Sequence, residues 1–597
     1  MGVLTVQRCF YLNRAALMLQ LSLSMKPNLP AMGRLLSLSG AYDQMRFIVV
    51  LCALIFGGVC GRVHAIDDIP EGGFRWVQGY DGNQPTAGFR VDGRLRIEAP
   101  DEPQPVGIHL SSGRIDVGTT GEILVQNGPG GSRFIHGDLV NEGLVSLRSV
   151  LLFSRDGAEW VNRGGVEAAT YMGLAITGKG ARFRQVSGEI RVAGPSSRFE
   201  FYNQSRFIYE GGHVFARPFL IAASAEVASE TTQELALRFA AQGSSLEGRF
   251  PGDLSIVVAS DDTFGPSSLL LNTVTPIEGL IELVAAFGNP GALLQLPESG
   301  MTLAPRGVLR VKTGAGLSEI RGPLAVEGLL DVQGSARWAT SGEALTNRGK
   351  IRLPFGGRLQ VSAPLVQAGG TLQVEGGELV LSQGLSLEGG TLIAAGILSG
   401  HLTNGALAVV DQEQPGRVRG EWTQTSQGTL QVRVRETSIA SESALQVTGP
   451  LNLRGTLEVV LADGVLLSRG AVLRLVKAES LNGWFERIVL PPLEAGLHWQ
   501  VVPSEDEVCL SVRDTPSPVL IEWVQRVSGD RVRVSGPWSL ETKAVLRISH
   551  DLRNWTTVER KSPFAGMTWF PVPKADEPGT DGLTAYQAIL SPVNSPD

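Results

Sequence analysis

Between residues 66 and about 435 apolar residues fall on every second position for a few residues at a time, and each run breaks at Gly, Asn or Ser before the next begins. The segments GEILVQNG, GDLVNEGLVSL and FRQVSGEIRVAG show the pattern. A period of two predicts short strands with one buried face, and the Gly, Asn and Ser between them predict tight corners. Within TLQV, ELVL and TLIA the alternation directs Leu372, Val374, Leu379, Leu381, Leu392 and Ala394 inward. Thr371, Gln373, Glu378 and Val380 then face outward. Glycine pairs begin at Gly356, Gly369, Gly376 and Gly389, so two pairs recur at a step of 20 residues.

That step predicts the architecture. A propeller blade needs roughly 40 to 50 residues, whereas a coil of two or three short strands closes in about half that length. A lone coil has two open edges and one thin core, so coils must stack and share both backbone hydrogen bonds and buried side chains. The expected fold is therefore all-β: a right-handed β-solenoid, or parallel β-helix, over residues 66–435. One stretch departs from the pattern. ASAEVASETTQELALRFAAQ, from Ala223 to Gln242, lacks glycine and is rich in Ala, Glu and Leu, and it reads either as a helical insertion or as an irregular coil. From Glu436 longer alternating segments with fewer glycine pairs predict a terminal β cap unit over 436–514. After the Pro-rich link DTPSPV, six short strand candidates predict an immunoglobulin- or fibronectin-like β-sandwich over 518–597.

The only hydrophobic run, FIVVLCALIFGGVC from Phe47 to Cys60, follows Met45-Arg46 and leads into VHA. A short apolar core with a small-x-small ending predicts a signal peptide over 45–65 with cleavage after Ala65, too short for a membrane span. Residues 1–44 then form an extended leading region or lie upstream of the true start, and the mature chain carries no integral membrane span. Cys9, Cys52 and Cys60 fall before the cut, leaving Cys509 alone and no internal disulfide. Export without disulfides suits a Gram-negative envelope. With 43% apolar residues the chain can bury a large core. A net charge of -7 with dispersed arginines leaves no electrostatic footprint for nucleic acid.

The segments GEWTQTSQGTLQVRV, LQVTGPLNLRGTLEVVLADG and LNGWFERIVLPPLEAGLHWQV, with the NxG and GGTL repeats before them, resemble exported passenger-like repeat proteins of planctomycete and verrucomicrobial bacteria. These are related in style to autotransporter-associated β-strand repeats. ISHDLRNWTTV, Ile548 to Val558, is similar to the small β-sandwich often appended to them. The resemblance covers most of residues 100–513 and implies a shape without catalytic residues. It departs from autotransporters in one respect: nothing after Asp514 is long enough for a membrane barrel of alternating ~10-residue strands.

Two carboxylates for sugar cleavage are offered locally only by Asp261-Asp262, with His213 in GGHVFA as a helper, and the same pair also reads as a solvated turn whose Asp side chains bond local backbone. The histidines beyond the signal segment are too far apart for a His-x-x-x-His pair, and no phosphate loop, nucleophile elbow or calcium nonapeptide is present. His498 and His550 read as surface or corner residues, and Cys509 as an inward strand residue. No cofactor or metal is expected. Of Trp523, Trp538, Trp555 and Trp569, the loop residue Trp538 is the candidate for ligand binding. The reading is an exported, non-catalytic envelope scaffold or adhesin-like display rod, with cell-surface or extracellular glycans or envelope proteins as partners. The alternatives are a carbohydrate-active β-helix lyase or hydrolase, or a carbohydrate-binding protein.

Overall fold

A computed structural model describes residues 67–514 except 79–86, 100–104, 129–130, 193, 195–196, 231, 261, 274, 289–290, 341–343, 436–441 and 505, together with the strands between Trp523 and Pro592. The expected signal peptide and residues 1–44 lie outside the described residues, as do Asp261, Trp538, His550 and Trp555.

Every regular element among the described residues is a β-strand. The chain winds as a parallel β-solenoid in which each strand pairs with its counterpart one coil earlier and one coil later. Register places like on like. Ile351 pairs with Leu372, Leu372 with Leu392, Leu392 with Ala408 and Ala408 with Leu430, and all five side chains are fully buried. The six residues expected inward between Leu372 and Ala394 are all buried, and the four expected outward are not.

Most coils carry three strands. Arg358–Val361, Leu365–Gln367 and Thr371–Leu381 follow one another around a coil, separated by short corners. Coil length is not constant. Leu372 and Leu392 are 20 residues apart, Tyr209 and Val227 are 18, and Asn452 and Asn482 are 30. The surplus sits in the corners, where chain length is tolerated cheaply.

The stretch from Ala223 to Gln242 is strand, not helix. Ser224–Val227 and Ala236–Ala240 join the parallel ladder, with Ala225, Val227, Leu237 and Phe239 inward and fully buried. Helix propensity is worth a few tenths of a kcal/mol per residue, and the alternating core overrides it. What remains irregular is the third face. A seven-stranded sheet begins at Phe74–Val77 and ends at His213–Phe215, and that face resumes only at Met301–Leu303. In the gap the Asp253 carboxylate accepts hydrogen bonds from the Thr232 backbone N–H at 2.7 Å, the Thr232 hydroxyl at 2.8 Å and the Gln233 N–H at 2.6 Å. Burial would raise the Asp253 pKa, but these bonds outweigh it and hold the carboxyl below its ordinary range.

Polar residues also enter the core, in a regular way. Asn141 donates to Asn162 Oδ1 at 2.7 Å, Asn162 donates to Gln185 Oε1 at 2.7 Å, and Gln185 donates to the Ser187 carbonyl at 2.7 Å. Asn347 donates to Gln367 at 2.6 Å and Asn404 to Gln424 at 3.4 Å in a second column further along, which runs through the third strands. Asn141 and Asn162 end the strand ahead of the third one, Asn347 ends a third strand, and each has Gly two residues later, which is why NxG recurs in the sequence.

The parallel stack closes by a change of direction. Val472–Gly483 pairs in parallel with Leu445–Leu453 on one side and antiparallel with Glu507–Arg513 on the other, and His498–Pro503 pairs antiparallel with Glu507–Arg513. Parallel pairing thus runs on past Glu436. The strands after Trp523 form two three-stranded antiparallel sheets.

Two tests follow from corners and ladder. Gly370 lies at φ 57°, and a Cβ there would come within 1.9 Å of the Gly349 carbonyl oxygen. Gly356 lies at φ 81° with nothing within 4 Å. Gly356→Val therefore carries only the left-handed penalty of roughly 1–2 kcal/mol, whereas Gly370→Val also forces two backbones apart. Thermal melts should show the larger drop, by several degrees, for Gly370→Val; equal melts would refute this assignment of the corners. Asn162→Leu strands the partners on both sides of it, so chemical denaturation should show a loss of about 1–3 kcal/mol.

Candidate functional site

Charged residues on the outer faces are arranged by the same register as the core. Glu282 pairs with Arg310 at 3.0 Å, Arg310 with Asp331 at 3.3 Å and Asp331 with Arg352 at 3.2 Å, across four successive coils. Arg206 bridges Glu226 at 2.7 Å and Glu247 at 2.5 Å. Charges that alternate down a column satisfy one another and leave little uncompensated field.

The residues of the hydrolytic reading do not converge. His213 is on the last strand of the seven-stranded sheet, while Asp262 is exposed in the turn after Ser255–Ser260 of the other sheet. From Glu200, in the coil of His213, the ladder passes to Phe219, Arg238 and then the strand of Ile256, three steps. At about 4.8 Å per step that is at least ~14 Å, beyond the reach of concerted acid and base. Cys509 lies inward on Glu507–Arg513, where burial, then the Glu507 carboxylate, pushes its thiol pKa up to about 12. Such a thiol is a packing residue, since nucleophilic cysteines need a stabilised thiolate. His498 is exposed at the start of its strand.

Stacking creates one cluster that local spacing conceals. His109 and His136 are register partners 27 residues apart, with ring centroids 4.5 Å apart. His136 Nδ1 lies 3.3 Å from Ser154 Oγ, and Arg155 pairs with Asp138 at 2.5 Å. Partial burial, then His109 and Arg155, lower the His136 pKa. Two imidazoles and a hydroxyl can exchange a proton or grip one side of a cation. Among the described residues no group of three or more His, Cys, Asp or Glu is placed to hold a metal ion. The sequence signal was a pair one coil apart, legible only once the local coil length is known.

Two surfaces differ from the charged ladders. Where the third face resumes, a groove of about 790 Å³ is lined only by uncharged residues, among them Thr275, Pro297, Met301, Thr302 and Thr346. On the seven-stranded sheet the first and last strands expose aromatic rings: Phe74 and Trp76 at one margin, His213 and Phe215 at the other. The Arg96 guanidinium sits 5.0 Å over Trp76 and that of Arg191 5.2 Å over Phe215. The His213 and Phe215 rings lie side by side at 5.8 Å and 1° from parallel.

No protein-family model matches the chain, and no curated protein does. Among solved structures, the crystal structure of the Haemophilus influenzae Hap adhesin aligns with 72% of this chain and 64% of that one, at 12% identity and a TM-score of 0.20. The matched region thus covers less than two thirds of the Hap chain. No helix among the described residues is long and apolar enough to cross a membrane.

A pH dependence follows from the histidine pair. With its folded pKa below the ordinary 6.5, His136 binds fewer protons in the folded than in the unfolded chain once the pH falls below about 6.5. Stability is therefore full above that pH and lost as the pH drops toward the folded pKa. The melting temperature should fall more between pH 7.5 and 5.5 for the wild type than for His136→Gln; parallel curves would show that the pair carries no such linkage.

Proposed function

We propose that the protein is an exported, non-catalytic scaffold of the bacterial envelope, a display rod whose outer faces repeat every coil. The observation that carries this reading is a single hydrophobic core cluster that runs without division from Ile69 to Val512. A core of this kind cannot be split into independent modules, because each coil buries the open face of its neighbours. Such a stack holds its outward side chains at fixed spacing over many coils, which suits extension and repeated weak contacts better than a single enclosed reaction centre. The signal-peptide pattern and the passenger-like motifs support export, and cell-surface glycans or envelope proteins are the partners it suggests.

Protease treatment of intact cells, with periplasmic and medium fractions probed in parallel, tests the address. Loss of the protein from intact cells while a periplasmic marker survives is the expected result. Protection with recovery in the periplasmic fraction would keep the scaffold but place it inside the outer membrane. Recovery solely with the cytoplasm would overturn the reading.

A further inference from the structure

The outward surface of the seven-stranded sheet has a composition found on no other described face. Five Phe, Tyr or Trp side chains are exposed among the described residues: Phe74, Trp76, Tyr171, Phe215 and Phe355. Three of them stand on this sheet, and Tyr171 stands in the turn directly after its Gly165–Ala168 strand. Register runs unbroken across the face. The row that starts at Trp76 passes through Arg96, Leu124, Ser146, Glu167 and Arg191 and ends at Phe215. Six steps between seven strands, at about 4.8 Å each, separate the two aromatic margins by ~29 Å. The parallel row that starts at Phe74 passes through Arg94, Glu122, Leu144, Gly165 and Glu189 and ends at His213.

Tyr171 adds an independent sign. Its backbone lies at φ 68°, a left-handed conformation that disfavours a side chain, and its ring is 64% exposed. The turn is fixed by the Tyr171 N–H, which donates to Ser197 Oγ at 3.1 Å, and by the Ser197 hydroxyl, which donates to the Ala169 carbonyl at 3.2 Å. Gly or Asn would serve this turn at lower cost.

Charge narrows the class of ligand. Arg94 pairs with Glu122 at 2.5 Å, Arg96 with Glu98 at 2.9 Å, and Arg191 with Glu189. The arginines are thus neutralised in place, and the face offers no net attraction to a polyanion. Aromatic rings that stay half exposed beside the guanidinium over one face, together with compensated charge, suit a chain of sugar rings, whose apolar faces stack on aromatics while their hydroxyls meet the flanking ion pairs. The 790 Å³ groove near Thr302 presents hydroxyls but no ring face. We propose that the outer surface of the seven-stranded sheet binds an extended, uncharged polysaccharide, held at its two margins by Trp76 and Phe215 with Tyr171 at the flank. The inference stands apart from the envelope reading, since it concerns the purified chain whatever its address.

Affinity electrophoresis of the full chain in native gels containing hydroxyethylcellulose, glucomannan or laminarin tests it, with polygalacturonate as the anionic comparison. Retardation by at least one of the three neutral polymers is expected. In that gel Trp76→Ala and Phe215→Ala should each weaken binding about 5- to 10-fold, and Phe355→Ala, distant from the sheet, should leave it unchanged. Unaltered melts of the variants would show that the loss is local. No retardation by any of the three neutral polymers overturns the proposal. So does retardation that survives both substitutions, or retardation confined to polygalacturonate and abolished by salt.

Discussion

Each coil must bring its backbone back to within hydrogen-bonding distance of the coil before it, and everything else in the molecule is subordinate to that closure. Strand spacing in a sheet is fixed at about 4.8 Å, so a residue cannot choose its neighbour above or below. It receives whatever the same position of the adjacent coil holds. Inside, this stacks Leu on Leu and Ile on Leu; at one corner it stacks amide on amide, Asn141 on Asn162 on Gln185. Outside, it places Glu282, Arg310, Asp331 and Arg352 in one column, where alternating sign turns proximity into pairing.

Closure also decides where variation is allowed. Buried positions tolerate little, because an added methylene must be absorbed at close to crystal packing density. Corners tolerate much, and coil lengths from 16 to 31 residues coexist in one stack. Where the third face loses its strand after Phe215, Asp253 takes over the work of a ladder by bonding the Thr232 and Gln233 amides directly. The aromatic run from Phe153 through Trp160 and Phe183 to Phe207 fills the interior of the coils that precede this gap. Broad rings there fill the space that Leu and Val fill elsewhere.

Much of this was legible in the sequence. The inward set from Leu372 to Ala394 followed from period two, and glycine pairs marked corners such as Gly370 and Gly390, both at positive φ. The stretch from Ala223 to Gln242 remained ambiguous because its alternation is broken by three non-glycine residues in left-handed conformation, Gln233, Glu234 and Ala241. Composition cannot announce such corners. The meeting of His109 with His136 was hidden for a different reason: their separation of 27 is one coil locally, while the glycine step measured elsewhere is 20. The exposed aromatic margins were equally silent, since Trp76 and Phe215 sit in strands whose outward direction is set only when register is known. Trp538, chosen from its loop-like context, lies outside the described residues.

The reversal at the C-terminal end of the stack has a meaning for solubility. A parallel solenoid ends in a row of unsatisfied N–H and C=O groups, and an identical chain presents the matching row at its other end. Left bare, such ends would join head to tail and grow without limit, as heterologous contacts do when no rotation closes them. By running Glu507–Arg513 and His498–Pro503 antiparallel to the strand that precedes them, the chain changes the polarity of its own terminus. A second copy then meets an edge whose direction does not match that of its own coils, so the parallel register on which stacking depends is not continued there.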